Sequence, residues 1–268
     1  MNNNIFSLKG KVVVITGSTG LLGRQHADAV ASFGGSLVLL DLDKGLIENQ
    51  ENELTSKYDV KVNGYVVNIT NEEEIEQNCN DVINKYGKID ALVNNAANNP
   101  KVEDQSGKNF SRLENFPMKN WSEDIAVGLT GAFLCAKYYG TAIANNQEGG
   151  VIINISSDLG LIAPDQRLYE KPNLSKNKQP VKPVTYSVIK SGVIGLTRYL
   201  ATYWPYSVRC NALCPGGVDS GLPEEFVKKV SERIPIGRMA MADEYQGALI
   251  FLLSDASNYM NGEVIAID

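Results

Sequence analysis

Short apolar runs alternate with longer polar or amphipathic stretches along most of this 268-residue chain. Val12 to Thr16 is β-branched or apolar at every position and too short for a helix, so it reads as a strand buried on both faces. The same reasoning gives strands at Leu37 to Leu40, Lys61 to Val67, Ile89 to Val93 and Val151 to Ile155. Helix-length segments lie between them. Lys44 to Tyr58 is polar and helix-compatible, and Asn71 to Tyr86 opens on an asparagine cap with three glutamates and closes at Gly87. A long helix is expected from about Lys119 to Ala144, and another from Val184 to about Trp204, stopped by Pro205. This alternation predicts an α/β fold over residues 1–268, a single-domain doubly wound parallel sheet with helices on both faces. Ligands of such sheets sit beyond the carboxyl ends of the strands. The segments to watch are therefore Gly17 to Gly23, Asp41, Asn68, Asn94 to Ala97, Ser156 to Gly160 and Pro215 to Ser220, which should line one crevice.

The first of these segments reads Thr-Gly-Ser-Thr-Gly-Leu-Leu-Gly. Gly17 permits a tight turn, Gly20 lets a ligand approach the backbone, and Gly23 lets the following helix pack against the strand. The helix then aims unpaired N–H groups and its positive dipole end at the turn, which suits a pyrophosphate. Asp41, at the tip of the second strand, stands where a dinucleotide's ribose hydroxyls would be held.

Composition narrows the field. With 43% apolar residues the chain can bury a sizeable core, and no uninterrupted apolar segment reaches membrane-spanning length. The N-terminal residues lack the charged and apolar regions of a secretion signal, so the expected place is cytoplasmic, with no membrane partner. A formal charge of −6 argues against a nucleic-acid surface. Cys79, Cys135, Cys210 and Cys214 read as reduced, packed thiols; no metal site is expected. The one histidine, His26, has no partner motif and reads as structural or superficial, which nearly excludes histidine-dependent chemistry.

Chemistry enters with Tyr186-Ser187-Val188-Ile189-Lys190, where a phenol and an ammonium four residues apart share one helical face. A nearby ammonium favours the phenolate and should lower the Tyr186 pKa, while Ser157 could hold a substrate oxygen. Taken together with the glycine turn and Asp41, these residues give a chain that resembles a classical short-chain dehydrogenase/reductase over nearly its whole length.

The resemblance implies a Rossmann fold, an NAD cofactor, a small-molecule substrate and a homodimer or homotetramer. It implies catalytic roles for Ser157, Tyr186 and Lys190, with hydride passing between nicotinamide and a secondary alcohol or ketone. Cofactor contacts are implied at Gly17, Thr19, Gly20, Leu22, Gly23 and Asp41, at Asn68 and Ile69, and at Asn95 and Ala96. Others fall on Tyr186 and Lys190 and on the loop Pro215-Gly216-Gly217-Val218-Asp219-Ser220.

Four features depart from the family pattern. The glycine spacing is that of the extended branch, Gly128 stands where a catalytic asparagine is expected, and the chain stops at Asp268 where relatives usually continue. Ser157 and Tyr186 are also unusually far apart, the excess being a basic insert at about 165–183. It holds five cations (Arg167, Lys171, Lys176, Lys178, Lys182) against Asp165 and Glu170, which suggests an anionic substrate, a phosphorylated sugar or sugar nucleotide. The insert and the Tyr186 segment are also similar to oxidoreductases of flagellin-glycan and surface-polysaccharide pathways. Competing readings are a 3-oxoacyl-thioester reductase, which Asp41 disfavours, and a non-catalytic dinucleotide-binding sensor, which Gly128 favours.

Overall fold

The computed structural model describes residues 4–98 and 111–268. Seven strands form one parallel sheet: β1 (Val12–Thr16), β2 (Ser36–Asp41), β3 (Val62–Val66), β4 (Ala91–Asn94), β5 (Gly150–Ile155), β6 (Val208–Pro215) and β7 (Val264–Ile267). Their spatial order is β3-β2-β1-β4-β5-β6-β7. The chain therefore winds outward from β1 in one direction and from β4 in the other. The switch point between them is where such sheets open a ligand crevice.

Strand residues alternate between two apolar layers. Val13 and Ile15 join a layer with Ala27 and Val30 of α1 (Leu21–Ser32), Leu54 of α2 (Lys44–Lys57) and Leu249 of α9 (Gln246–Leu253). Val12 and Val14 face the other way, onto Ile75 and Val82 of α3 (Glu72–Tyr86) and Leu200 of α7 (Val184–Tyr203). Both faces are covered, which explains why these strands read as continuous apolar runs. The helix expected from Lys119 to Ala144 is present but not uniform. Its α-helical pieces α4 (Met118–Ile125), α5 (Gly131–Cys135) and α6 (Thr141–Ala144) are joined by π-helical turns at Ala126–Thr130 and Ala136–Gly140. Apolar periodicity does not reveal a single π turn, which adds one residue inside an otherwise α-helical run. The remaining α-helix among the described residues, α8 (Glu224–Ser231), follows the Pro215 to Ser220 loop.

All four cysteines are free and buried, and His26 is fully buried within α1, which settles it as structural. Neither of its ring nitrogens has a partner, and burial lowers its pKa to about 4. The long loop from Asn98 to Pro117 falls mostly outside the described residues.

Candidate functional site

The tips of β1 and β4 are stitched together by the residues that the sequence singled out. Asn95 Nδ2 donates to the carbonyl oxygens of Thr16 and Gly17 at 3.0 and 2.9 Å, and Thr16 Oγ1 accepts from the N–H groups of Asn95 and Ala96. This brings Ala96 against the glycine turn. Gly17 has φ +62°, and a Cβ there would lie 2.8 Å from Ala96 Cα. A Cβ on Gly23 would lie 2.1 Å from the Gly17 carbonyl oxygen, so α1 can sit this close to β1 only with glycine at that position. At the tip of β2, Asp41 Oδ2 accepts from both Thr19 N–H and Thr19 Oγ1–H, at 2.9 and 2.7 Å. The carboxylate is thus fixed over the turn.

A cleft of about 1240 Å³ runs across these tips. Gly17, Thr19, Gly20, Leu22 and Asp41 line one end, with Asn68, Ile69, Asn95 and Ala96 alongside. Ser157, Tyr186, Lys190, Pro215, Gly216, Val218 and Ser220 line its middle and far side. Of the crevice segments named from sequence, Ser18, Gly23, Asn94, Gly160 and Asp219 are absent from the lining; Gly23 packs behind the turn. Asn68 turns its side chain into its own loop, where Oδ1 accepts from Thr70 N–H and Oγ1–H.

The far end is assembled by contacts between β5's exit and α7. Ser156 Oγ donates to the Lys190 carbonyl oxygen at 2.7 Å, and a Cβ on Gly160 would lie 2.7 Å from that same Ser156 Oγ. The start of α7 is fixed by Asp124, a buried carboxylate that accepts from Thr185 Oγ1 at 2.6 Å and from Asn98 Nδ2 at 3.3 Å. Lys190 is buried, and its Nζ donates to the Ile155 carbonyl oxygen at 2.9 Å; burial pushes its pKa down to about 8. Ser157 Oγ donates to Asp158 Oδ1 at 2.5 Å and also hydrogen-bonds Tyr186.

One expectation needs correction here, and a second is narrowed. Tyr186 was expected to titrate low beside Lys190, yet its pKa is raised. Burial is the main cause; the Ser157 hydrogen bond opposes it and the Asp158 carboxylate adds to it. Lys190 Nζ lies 5.9 Å from the Tyr186 ring centroid, and its hydrogen bond goes to backbone. Of the insert's five cations, Arg167 is spent internally. Arg167 donates to both oxygens of Asp165, which takes Arg233 as well, and the backbone of Lys171 pairs with Gln179.

Gly128 has a steric reason to lack a side chain. A Cβ there would lie 2.6 Å from Ile189 Cγ2, so α7 fills the space an asparagine would need. Sequence reasoning missed three contributors. Asp158 and Asp124 carry no motif signal. Lys182 was counted only as one charge of the insert, but its Nζ lies 3.8 Å from the Tyr186 ring centroid.

The residues present fit a nicotinamide dinucleotide: a glycine cradle that Cβ atoms would fill, an oriented carboxylate at one end and a phenol with buried lysine at the other. Among the described residues there is no group of His, Cys, Asp and Glu that could hold a metal, and no helix long and apolar enough to cross a membrane.

Comparison with known proteins gives the family. A family model described as enoyl-(acyl carrier protein) reductase matches residues 20–268. The chain belongs to the short-chain dehydrogenase/reductase family, whose members oxidise alcohols and reduce ketones with a nicotinamide dinucleotide. It is 35% identical to an NADP-dependent mannitol dehydrogenase of Hypocrea jecorina, over 99% of this chain and 93% of the relative. It is 32% identical to a 3-oxoacyl-[acyl-carrier-protein] reductase of Aquifex aeolicus, over 97% of each. A crystal structure of NAD+-bound xylitol dehydrogenase superposes with a TM-score of 0.84 and 26% identity, covering 97% of this chain and 98% of that one.

Proposed function

We propose that this protein is an NAD-dependent dehydrogenase/reductase that interconverts a secondary alcohol and a ketone on a polyhydroxylated small molecule. The observation that carries the reading is the meeting, in one cleft, of Ser157, Tyr186 and Lys190 at one end and Asp41 at the other. When bound, the dinucleotide supplies the carbon that gives or takes hydride. Gly17, Thr19, Gly20 and Leu22 would hold its pyrophosphate side, Ile69, Asn95 and Ala96 its adenosine side, and Pro215, Gly216, Val218 and Ser220 its nicotinamide end. Tyr186 gives its phenolic proton to the ketone oxygen, or takes one from the alcohol, while the Ser157 hydroxyl orients that oxygen. Lys190 adds a buried positive charge beside the site of transfer.

The reading of NAD rather than NADP rests on Asp41. Its carboxylate at the tip of β2 would oppose a 2′-phosphate, and among the described residues lining that end of the cleft none is a cation. The mannitol and xylitol dehydrogenases among its relatives support a polyol or ketose as substrate. A phosphorylated sugar or sugar nucleotide, as in the surface-glycan pathways, loses the support of Arg167 and retains that of Lys171 and Lys182, which line the cleft. The thioester-reductase reading rests on the Aquifex relative and is opposed by Asp41. A sensor without catalysis would need none of Ser157, Tyr186 and Lys190. The test measures NAD and NADP reduction with mannitol, xylitol, sorbitol 6-phosphate and a 3-hydroxyacyl thioester, with Tyr186→Phe as control. Reduction of NAD by a polyol, lost in the variant, is expected. Equal turnover in Tyr186→Phe refutes the assigned chemistry.

A further inference from the structure

The insert between Ser157 and Tyr186 ends by placing a second lysine on the proton-transfer group. Lys182 Nζ lies over the face of the Tyr186 ring, 3.8 Å from its centroid, closer than Lys190 at 5.9 Å. The backbone that carries Lys182 is held on both sides of the lysine. Val181 N–H donates to Ser111 Oγ at 3.1 Å and Lys182 N–H to Gln166 Oε1 at 2.8 Å. Pro183 then starts α7 with its φ fixed. The ammonium is set on the ring by the fold, and it lines the same cleft as Ser157 and Lys190.

We propose that Lys182 is a positioning residue for proton transfer at Tyr186: its ammonium clamps the ring face and, together with Lys190, favours the ionised phenol over the neutral one. A cation over a ring is attracted to its negative face, and more strongly once the ring carries a full negative charge. The effect opposes the burial that raises the Tyr186 pKa. Other charged or titratable groups around the phenol are Asp158 at the exit of β5, Tyr169 in the insert and Lys190 on α7, with Cys214 of β6 beside Lys190. Of these, Asp158 acts against ionisation of Tyr186. At neutral pH two cations and one carboxylate leave a net positive charge beside the phenol; burial lowers the pKa of both lysines to about 8, so that charge is lost as pH rises past it. The insert thereby gains a role in the chemistry that its outward-facing charges lack.

The inference rests on the reading of Tyr186 as the proton-transfer group, but its test needs neither substrate nor turnover. The full-length protein is labelled with tyrosine carrying ¹³C at the ring ζ carbon, the Tyr186 signal is assigned from its loss in Tyr186→Phe, and its titration is followed by NMR. In Lys182→Arg, whose guanidinium keeps its charge where the buried lysine has lost it, the Tyr186 midpoint should fall by about one pH unit, a tenfold stronger ionisation, and in Lys182→Met it should stay near the wild-type value. Should Lys182→Met not fold, Lys182→Gln carries the same expectation. An unchanged midpoint in Lys182→Arg, or an equal fall in Lys182→Met, overturns the proposal. A polyol assay that fails while the midpoint moves would count against the function alone.

Discussion

The two ends of the cleft are built in different ways. At the β1–β2 end the parts are local. The turn, the start of α1 and Asp41 lie within one βαβ unit, and their contacts are the hydrogen bonds of the Asp41 carboxylate to Thr19 and close packing around Gly17 and Gly23. At the other end Ser157, Lys182, Tyr186 and Lys190 come from a strand exit, an insert and a helix, and they are held by side chains such as Ser156 and Asp124. The first end is stiff because small residues leave no alternative packing. The second places buried charge and unusual proton affinity where the chemistry is expected. The difference teaches that binding at one end can persist when chemistry at the other is removed.

The strongest way to break that contrast is Tyr186→Phe. Removing the phenolic hydroxyl should lower kcat by about 10²- to 10⁴-fold, the range for a lost general acid-base group, and leave NADH binding within about twofold. Steady-state kinetics beside a fluorescence titration of NADH checks both. Parallel loss of binding and turnover would show the ends to be one structural unit.

The next effect compares two buried bases, one in each half. His26, held near 4 by burial, binds protons more weakly than a histidine in the unfolded chain at 6.5. Unfolded molecules therefore take up a proton between those values, so stability is full above pH 6.5 and falls as pH drops toward 4, by about 3 kcal/mol for this group. Lys190 is likewise lowered, from 10.5 to about 8, so folding gains stability as pH rises from 8 toward 10.5, and at neutral pH its buried charge is a burden. Lys190→Met should then stabilise the free protein at pH 7 by about 1 to 3 kcal/mol, net of the lost bond to the Ile155 carbonyl, while abolishing activity. Urea denaturation of wild type, His26→Leu and Lys190→Met at pH 5, 7 and 9 measures all of this. A flat acid limb in the wild type would refute the first part, and a less stable Lys190→Met the second.

How much of this could be read from the chain alone follows the same division. β1, the glycine turn and Asp41 were legible because each is a short-range pattern with one physical solution: an apolar run, a turn without Cβ, a carboxylate at a strand tip. Tyr186 and Lys190 were legible as a helical pair, although the direction of the Tyr186 shift was not. Spacing shows that an ammonium is near; it does not show how deeply the phenol is buried. The neutralisation of Arg167 by Asp165 was open to inference from their two-residue spacing, but the approach of Arg233 from beyond β6 was not. Lys182 was hidden because its importance depends on where an irregular, proline-punctuated segment turns back, and no periodicity records that.

A milder change sharpens the comparison at the adenosine end. Asp41→Ala should cut the preference for NAD over NADP by about ten- to a hundredfold, since it removes both the ribose acceptor and the charge that opposes a 2′-phosphate. It also frees Thr19 Oγ1 to meet an incoming phosphate. The ratio of kcat/KM for the two cofactors is the readout, with turnover at saturation little affected. An unchanged ratio would mean that the tip of β2 does not select the cofactor.

The smallest effect is expected from Arg167→Gln, and its smallness is informative. Arg167 is the insert's most evident anion-binding candidate in sequence, yet its guanidinium is paired through two hydrogen bonds with Asp165, and its side chain is 76% exposed. An exposed pair of this kind contributes little to stability, and a charge already neutralised projects little field into the cleft. Loss of Arg167 leaves Asp165 with Arg233 at 3.2 Å, so the rim keeps its shape. We expect kcat/KM to change by less than about twofold for neutral and phosphorylated substrates alike, since screening removes most of what remains of this charge. A loss above about fivefold confined to phosphorylated substrates would instead mean that Asp165 releases the arginine when an anion arrives. The substrate would then be read at the outer rim of the insert, and the division between a stiff binding end and a charged chemical end would have to give way to a third, charge-selecting mouth.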